Sequence, residues 1–370
     1  MKLLIQPGDG VDRLVKGIRK AKKSVEIVIF RFDRAEIERA LVEAVEKGVS
    51  VRALIAFTNR GGDQHLRKLE MRLLENGISV ARTAGDLVRY HGKMMLVDRK
   101  ELYLLAFNFT HLDIDHSRSF GLTTRNPGLL HEAIKLFEAD TTRQPYVAGH
   151  PKFLVSPVNA RKELASFVKH ARKELLIYDP EISDRAMLRL LQDRRNGGVE
   201  IRVIGKVSRN RLPARHLAGL RLHARIILRD RQQAFMGSQS LRPRELDSRR
   251  EVGVIFRNRT IVGTLARTFE EDWAASEPAV EPKDPRDFPV GKTARRMAKL
   301  VGKNLPVAPV VKQVARAIQK KGDLELRPKE VEETVKTAVK EAVKDVVKEA
   351  TKEAIKTMVD ETDLREVKTK

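Results

Sequence analysis

The sequence predicts an α/β fold built from two similar halves, and three observations carry that prediction. Short runs rich in β-branched residues alternate with amphipathic helical patterns along residues 1–275. A polar motif is written twice in register, at an offset of 132 residues: Tyr90-His91-Gly92-Lys93-Met94-Met95-Leu96-Val97-Asp98 and Leu222-His223-Ala224-Arg225-Ile226-Ile227-Leu228-Arg229-Asp230. The upstream segments repeat too, at an offset of 150, with Ala21-Lys22-Lys23 matching Ala171-Arg172-Lys173 and Lys47-Gly48-Val49 matching Gly197-Gly198-Val199. Packing constrains apolar positions more than polar ones. Two polar sets with identical spacing therefore imply two halves that fold alike and pool their histidines in one site.

Taken in order, the first half reads as strands at 3–6, 25–30, 51–56, 93–97 and 102–107, with helices at 11–22, 34–47 and 129–138. The second half reads as strands at 153–156, 175–178, 201–204, 225–228, 234–236 and 252–256, with helices at 160–172, 184–195 and 261–273. The drop in offset from 150 to 132 means that the first half carries 18 extra residues before its motif. Among them Leu66, Leu69, Leu73 and Leu74 recur at helical spacing and predict a helix over 64–75. Each motif is expected on a strand, where alternation puts His91 beside Lys93 on one face and His223 beside Arg225. The halves are placed at 1–145 and 146–275, packed about a pseudo-twofold axis with the site at their interface. Residues 276–290 read as a Pro-rich linker.

Residues 291–370 form a basic, largely helical tail by pattern. Val335, Val339, Val343, Val347, Thr351, Ile355 and Val359 recur every fourth residue, with lysines on the same beat. Such a stripe drifts by about 40° per tetrad around a helix. It suits an exposed salt-bridged helix, or one that orders on an anionic membrane surface.

The spacing H-x-K-x-x-x-x-D, followed by a small-residue turn, resembles the phospholipase D superfamily. The second half continues with Gly237-Ser238-Gln239-Ser240 and then Glu251, close to that family's pattern. The first half continues with Leu105-Ala106-Phe107-Asn108 and then Ser119, keeping the Asn but lacking the Gly-Ser and the carboxylate. Arg225 stands where the family has Lys. The resemblance implies phosphoryl transfer through a covalent phosphohistidine, with His91 as nucleophile and His223 as general acid. It implies Lys93 and Arg225 on the non-bridging oxygens, helped by Asn108 and Ser240, with Ser238 in the supporting turn. Glu251 is expected to hold His223 as imidazolium, with Asp113 or Asp115 as candidates to serve His91. The motif carboxylates Asp98 and Asp230 are expected to be structural. No cofactor and no metal are implied.

The net charge of +23 favours an anionic partner. Residues 201–250 alone hold thirteen Lys/Arg against three Asp/Glu. The absence of Cys excludes disulfides and zinc-thiolate sites. With no apolar run of about 20 residues, the expectation is a cytoplasmic protein, or one peripheral on the inner face of a membrane. Both motifs lie in one chain, so a monomer is expected. Phospholipid is the favoured substrate. A nuclease using Arg202, Arg209, Arg211, Arg215 and Arg221 as a backbone track is the second reading, and a decayed binding scaffold the third.

Overall fold

The computed structural model describes residues 1–278 apart from 58–62, 84, 86, 88 and 209–211. The tail at 291–370, and all of the linker beyond Pro278, lie outside the described residues.

The first half contains β1 (Lys2–Gln6), α1 (Asp12–Arg19), β2 (Ser24–Ile29), α2 (Ala35–Glu46), β3 (Ser50–Ile55), α3 (Asp63–Glu75) and β4 (Ser79–Arg82). It continues with β5 (Arg89–Tyr90), β6 (Met94–Val97), β7 (Glu101–Leu105), α4 (His111–Asp115), β8 (Ser117–Thr124) and α5 (Pro127–Thr141). The second half contains β9 (Phe153–Val155), α6 (Ala160–Lys169), β10 (Glu174–Ile182), α7 (Arg185–Asn196), β11 (Glu200–Val207) and β12 (Ala214–His216). It ends with β13 (Arg221–Leu222), β14 (Ile226–Arg229), β15 (Gln233–Gly237), α8 (Pro243–Asp247), β16 (Arg249–Arg250), β17 (Val252–Phe256), α9 (Arg259–Ala274) and β18 (Glu277–Pro278).

The two sheets have the same strand order. The first runs β1-β8-β7-β6-β2-β3-β4 and the second β9-β17-β15-β14-β10-β11-β12, with β18 added at its edge. Glu277 and Pro278, expected to open the linker, instead close that edge against Arg215 and His216. The 18 extra residues of the first half do contain a helix, α3, which has no counterpart among the described residues between β11 and β12.

Period-2 alternation divides the apolar residues of β10 between two cores. Leu176 and Tyr178 face a central core shared with Leu4, Phe120 and Phe137 of the first half. Leu175 and Ile177 face an outer core with Leu164 of α6 and Leu191 of α7. The shared core makes the two halves one packed body.

Buried charge bolts the halves together reciprocally. Arg118 on β8 donates to Asp272 on α9 (2.7 and 2.9 Å) and to the Gln6 carbonyl (3.0 Å). Arg250 on β16 donates to Asp140 on α5 (3.0 Å) and to the Ser156 carbonyl (3.3 Å). Tyr178 and Tyr90 add their hydroxyls to Asp272 and Asp140 at 2.6 and 2.8 Å. Ion pairs this buried are stable only when most of their remaining polar atoms are also satisfied, and here the carbonyls and tyrosines supply those partners for all but Arg250 Nε.

Two-residue strands cross between the halves. β5 pairs in parallel with β16, and β13 pairs in parallel with β8. Both lead directly into the repeated motif.

Candidate active site

Neither His-x-Lys/Arg run lies within a ladder strand, contrary to the expectation from alternation. Each forms an extended link where the chain exchanges hydrogen-bond partners. The His91 N–H donates to the Arg250 carbonyl of the other half (2.7 Å), whereas the Lys93 carbonyl accepts from Leu105 of its own half (3.0 Å). The second motif does the same, with His223 N–H on the Arg118 carbonyl (3.0 Å) and the Arg225 carbonyl accepting from Gly237 (3.2 Å). The histidines therefore stand where the two halves meet, and the adjoining strands fix their main chains from both sides.

The motif aspartates lie at the far ends of β6 and β14, away from the histidines. Asp98, at φ 52°, turns its carboxylate back to accept from the Lys22, Lys23 and Ser24 N–H groups at 2.7–3.1 Å. Asp230, at φ 54°, accepts from Arg172, Lys173 and Glu174 in the same way at 2.7–3.1 Å. Each ties its hairpin turn to the start of the neighbouring antiparallel strand, β2 or β10.

The carboxylate partners of the histidines are crossed relative to the sequence expectation. Glu251 does not serve His223. Its Oε2 lies 2.8 Å from His91 Nδ1, across the interface, and the carboxyl is fully buried. The reason is the pseudo-twofold crossing: Arg250 anchors the main chain of His91, so the next residue along β16–β17 faces that imidazole. An ionised carboxylate only accepts, so Nδ1 carries the proton and Nε2 presents its lone pair. Burial, followed by the charges of Lys93 and Arg225, holds His91 well below the usual imidazole range. Burial raises Glu251, opposed by Lys93. Phe30 packs edge-on against His91 with ring centroids 4.8 Å apart.

His223 faces Asp113 of the first half, with Nδ1 to Oδ2 at 3.2 Å, off the hydrogen-bond line. Asp113 was expected, if anything, to serve His91. The remaining candidate, Asp115, pairs instead with Arg34 and His111. Burial, then Arg225, Lys93, Arg221 and His91, hold His223 well below its ordinary value.

The two motif cations differ. Lys93 Nζ is buried, with no hydrogen-bond partner among the described residues, and burial pushes its pKa down to about 7. Arg225 is folded onto its own half, its Nε donating to Ser240 Oγ (3.2 Å) and its Nη1 to the His223 carbonyl (3.2 Å). Asn108 spends its backbone N–H and one side-chain N–H on Asp113 Oδ2 (2.8 and 2.6 Å). Ser240 donates its N–H to Glu245 (2.7 Å). Ser238 is one shell back: its hydroxyl accepts from the Val252 N–H at 3.0 Å, next to Glu251.

Sequence reasoning passed over several residues that build this site. Glu245 lies 132 residues after Asp113 and ties its own turn in the same way, so the repeat offset alone marks it. Arg118 with Arg250 and Asp140 with Asp272 obey the same offset. Of the proposed nucleic-acid track, Arg202 is paired with Glu270 (2.8 Å), Arg215 donates to the Trp273 carbonyl (2.9 Å) and Arg221 to Asp113 (2.6 Å). Arg209 and Arg211 lie outside the described residues. Among those described, no cluster of His, Asp and Glu has metal-binding geometry, and no helix is long and apolar enough to cross a membrane.

Comparison with known proteins gives a consistent picture. The family described as cardiolipin synthase, PLD-like domain, matches residues 14–141 and 164–273. A mitochondrial cardiolipin hydrolase of Danio rerio is 30% identical over 131 residues, covering 34% of this chain and 56% of the relative. A polyphosphate kinase of Prosthecochloris aestuarii is 24% identical over 286 residues, covering 68% of this chain and 40% of the relative. The chain thus spans about half the length of the curated relatives it matches. Among solved structures, a phosphatidylserine synthase of Haemophilus influenzae superposes with a TM-score of 0.63 at 11% identity, covering 81% of this chain and 92% of that one. The polyphosphate kinase of Porphyromonas gingivalis superposes at 0.62 with 19% identity, covering 74% and 50%. With the family matched over both repeats and the fold matched across them, the chain belongs to the phospholipase D superfamily, in the family of the PLD-like domain of cardiolipin synthase.

Proposed function

We propose that this protein is a phosphodiester-acting enzyme that hydrolyses phospholipid or transfers its phosphatidyl group through a phosphohistidine. One observation carries the reading. Two buried imidazoles meet at the interface, each with a carboxylate of the opposite half at its Nδ1, beside a buried Lys93 amine that has no hydrogen-bond partner among the described residues. His91 Nε2 attacks phosphorus and the ester P–O bond breaks, while His223 gives its proton to the departing alcohol oxygen. Water or a second alcohol, deprotonated by His223, then attacks the phosphohistidine and releases His91. Lys93 neutralises the non-bridging oxygens, and the anion in turn restores the ammonium that burial disfavours. Burial and the neighbouring cations depress both imidazoles, which keeps His91 neutral as the nucleophile at physiological pH; the bound phosphate anion offsets that cationic surround, so that His223 holds the acid proton once substrate is in place. One chain supplies both histidines, so a monomer suffices. The basic tail is proposed to favour an anionic membrane surface.

A second reading, a polyanionic substrate with repeated phosphates, draws on the alignment with a polyphosphate kinase over 68% of this chain. The test is turnover of a chromogenic phosphodiester, anionic phospholipid vesicles, single-stranded DNA and polyphosphate, in parallel with EDTA present. Vesicle turnover lost in His91→Ala, with an acid-labile, base-stable phosphoryl adduct in the parent protein, is the expected result. Turnover of DNA or polyphosphate alone replaces the lipid reading, and silence on every substrate refutes the enzyme.

A further inference from the structure

We infer that Asp113 is the positioning residue for His223, taking over the task left open at Ser119, and that Arg221 sets how much of its charge reaches the imidazole. The inference rests on the proposed reading that His223 transfers a proton. It starts from an asymmetry between the halves. Position 251 carries a carboxylate that reaches His91, but the equivalent position 119 is a serine whose hydroxyl donates to the His223 carbonyl (3.3 Å) and cannot polarise the ring. The carboxylate that does face the ring is six residues upstream.

Asp113 sits on the single turn of α4, begun by Thr110, whose side chain accepts from the Asp113 N–H. It is buried, and its two oxygens face different ways. Oδ2 lies 3.2 Å from His223 Nδ1 and also accepts from Asn108. Oδ1 accepts from Arg221 Nη1 (2.6 Å), which also donates to Ser117 (3.0 Å). The pairing of β13 with β8 brings Arg221 there, two residues before His223.

The counterpart in the other half shows what is specific. Glu245 ties the Ser240 turn as Asp113 ties that of Asn108, but its other oxygen goes to Arg249 (3.1 Å). Glu251 already serves His91, so Glu245 is not needed for an imidazole. In the first half one carboxylate does both jobs.

The groups facing His223 are Arg225 from its own link, His91 and Lys93 from the first-half link, Arg221 from β13, and Asp113 from α4. Against this cationic surround, the Asp113 charge favours the imidazolium, and Arg221 drains that charge. The two side chains therefore act on His223 with opposite sign.

The test uses the full chain with 15N-labelled histidine. Asp113→Asn, which keeps the side chain's shape, is expected to lower the His223 imidazole pKa by about one unit. It should also shift its tautomer toward Nε2–H. Arg221→Gln is expected to raise the pKa. On the chromogenic phosphodiester, Asp113→Asn should lower kcat/KM by about tenfold or more and move the alkaline limb to lower pH, whereas Arg221→Gln moves that limb to higher pH. If Asp113→Asn fails to fold, the Arg221→Gln titration decides alone. An unchanged titration, or shifts of the same sign, overturns the assignment. Opposite imidazole shifts in a protein that turns over no phosphodiester would keep the assignment and reject the proposed reaction instead.

Discussion

Glu251→Gln isolates what the crossed carboxylate does for the proposed nucleophile. The substitution is nearly isosteric at a fully buried position, so packing barely changes while the charge is lost. The 2.8 Å contact from His91 Nδ1 becomes a hydrogen bond to a neutral amide. A hydrogen bond to a charged group contributes about 1.5–3 kcal/mol. At about 1.4 kcal/mol per tenfold, that corresponds to a loss of about 10- to 150-fold in kcat. The loss lies toward the upper end if the amide turns its NH2 toward Nδ1, because the ring proton then moves to Nε2 and removes the attacking lone pair. The expected signature is a lower kcat with KM nearly unchanged, since the carboxylate acts on the ring and not on substrate. Thermal stability should hold or rise, because burying a neutral amide costs less than burying a carboxylate. A kcat within about threefold of the parent enzyme, in a protein that folds normally, would refute the argument that Glu251 orients His91.

Three further perturbations follow from the same geometry. Lys93, pushed down to about 7, is largely neutral in the folded protein at pH 8 but charged in the unfolded chain up to about 10.4. The unfolded state binds the extra proton between those values, so stability should rise with pH across that window, and Lys93→Met should flatten the slope. Vanadate binding at pH 8 should then take up close to one proton at this site, read from calorimetry in buffers of different ionisation enthalpy. Arg118→Ala and Arg250→Ala each remove the cationic partner of a buried aspartate, Asp272 or Asp140, and should each destabilise by about 3–5 kcal/mol in a denaturant titration. Gly92→Ala would place a Cβ 2.9 Å from Val252 Cγ2, next to Glu251, and should lower stability by about 1–3 kcal/mol and activity with it.

The elements that could be read from sequence were those whose burial is written in apolar periodicity. β17, Val252–Phe256, is one such strand. Its first-half counterpart β8, Ser117–Thr124, was not predicted, because Ser117, Ser119, Thr123 and Thr124 break the apolar pattern. Those residues are nonetheless buried, since β8 lies between β1 and β7 and also receives β13. The two-residue strands β5, β13 and β16 are too short to show any period, yet they decide where each histidine stands. Which carboxylate meets which histidine was hidden for a related reason. Spacing along a chain is one-dimensional, whereas the partnership is set by a rotation between halves. The offset of 132 still held usable signal in Arg118 with Arg250 and Asp140 with Asp272, all polar and all buried.

The departures of the two halves from each other have a common physical logic. Two cations buried without hydrogen-bond partners at the proposed phosphate site would each carry a desolvation cost of several kcal/mol. Arg225, standing where the second motif would carry lysine, satisfies donors on Ser240 and the His223 carbonyl, so that of the two motif cations only Lys93 has no hydrogen-bond partner among the described residues. The loss of a carboxylate at Ser119 is met within the same half by Asp113, on a helix that already had to tie down the Asn108 turn. Neither change disturbs the other half, because the main chains of His91 and His223 are held by Arg250 and Arg118, which retain the same contacts in both copies. The interface is thus the part that the two copies keep in common, and the side chains around the proposed phosphate site are where they were able to diverge.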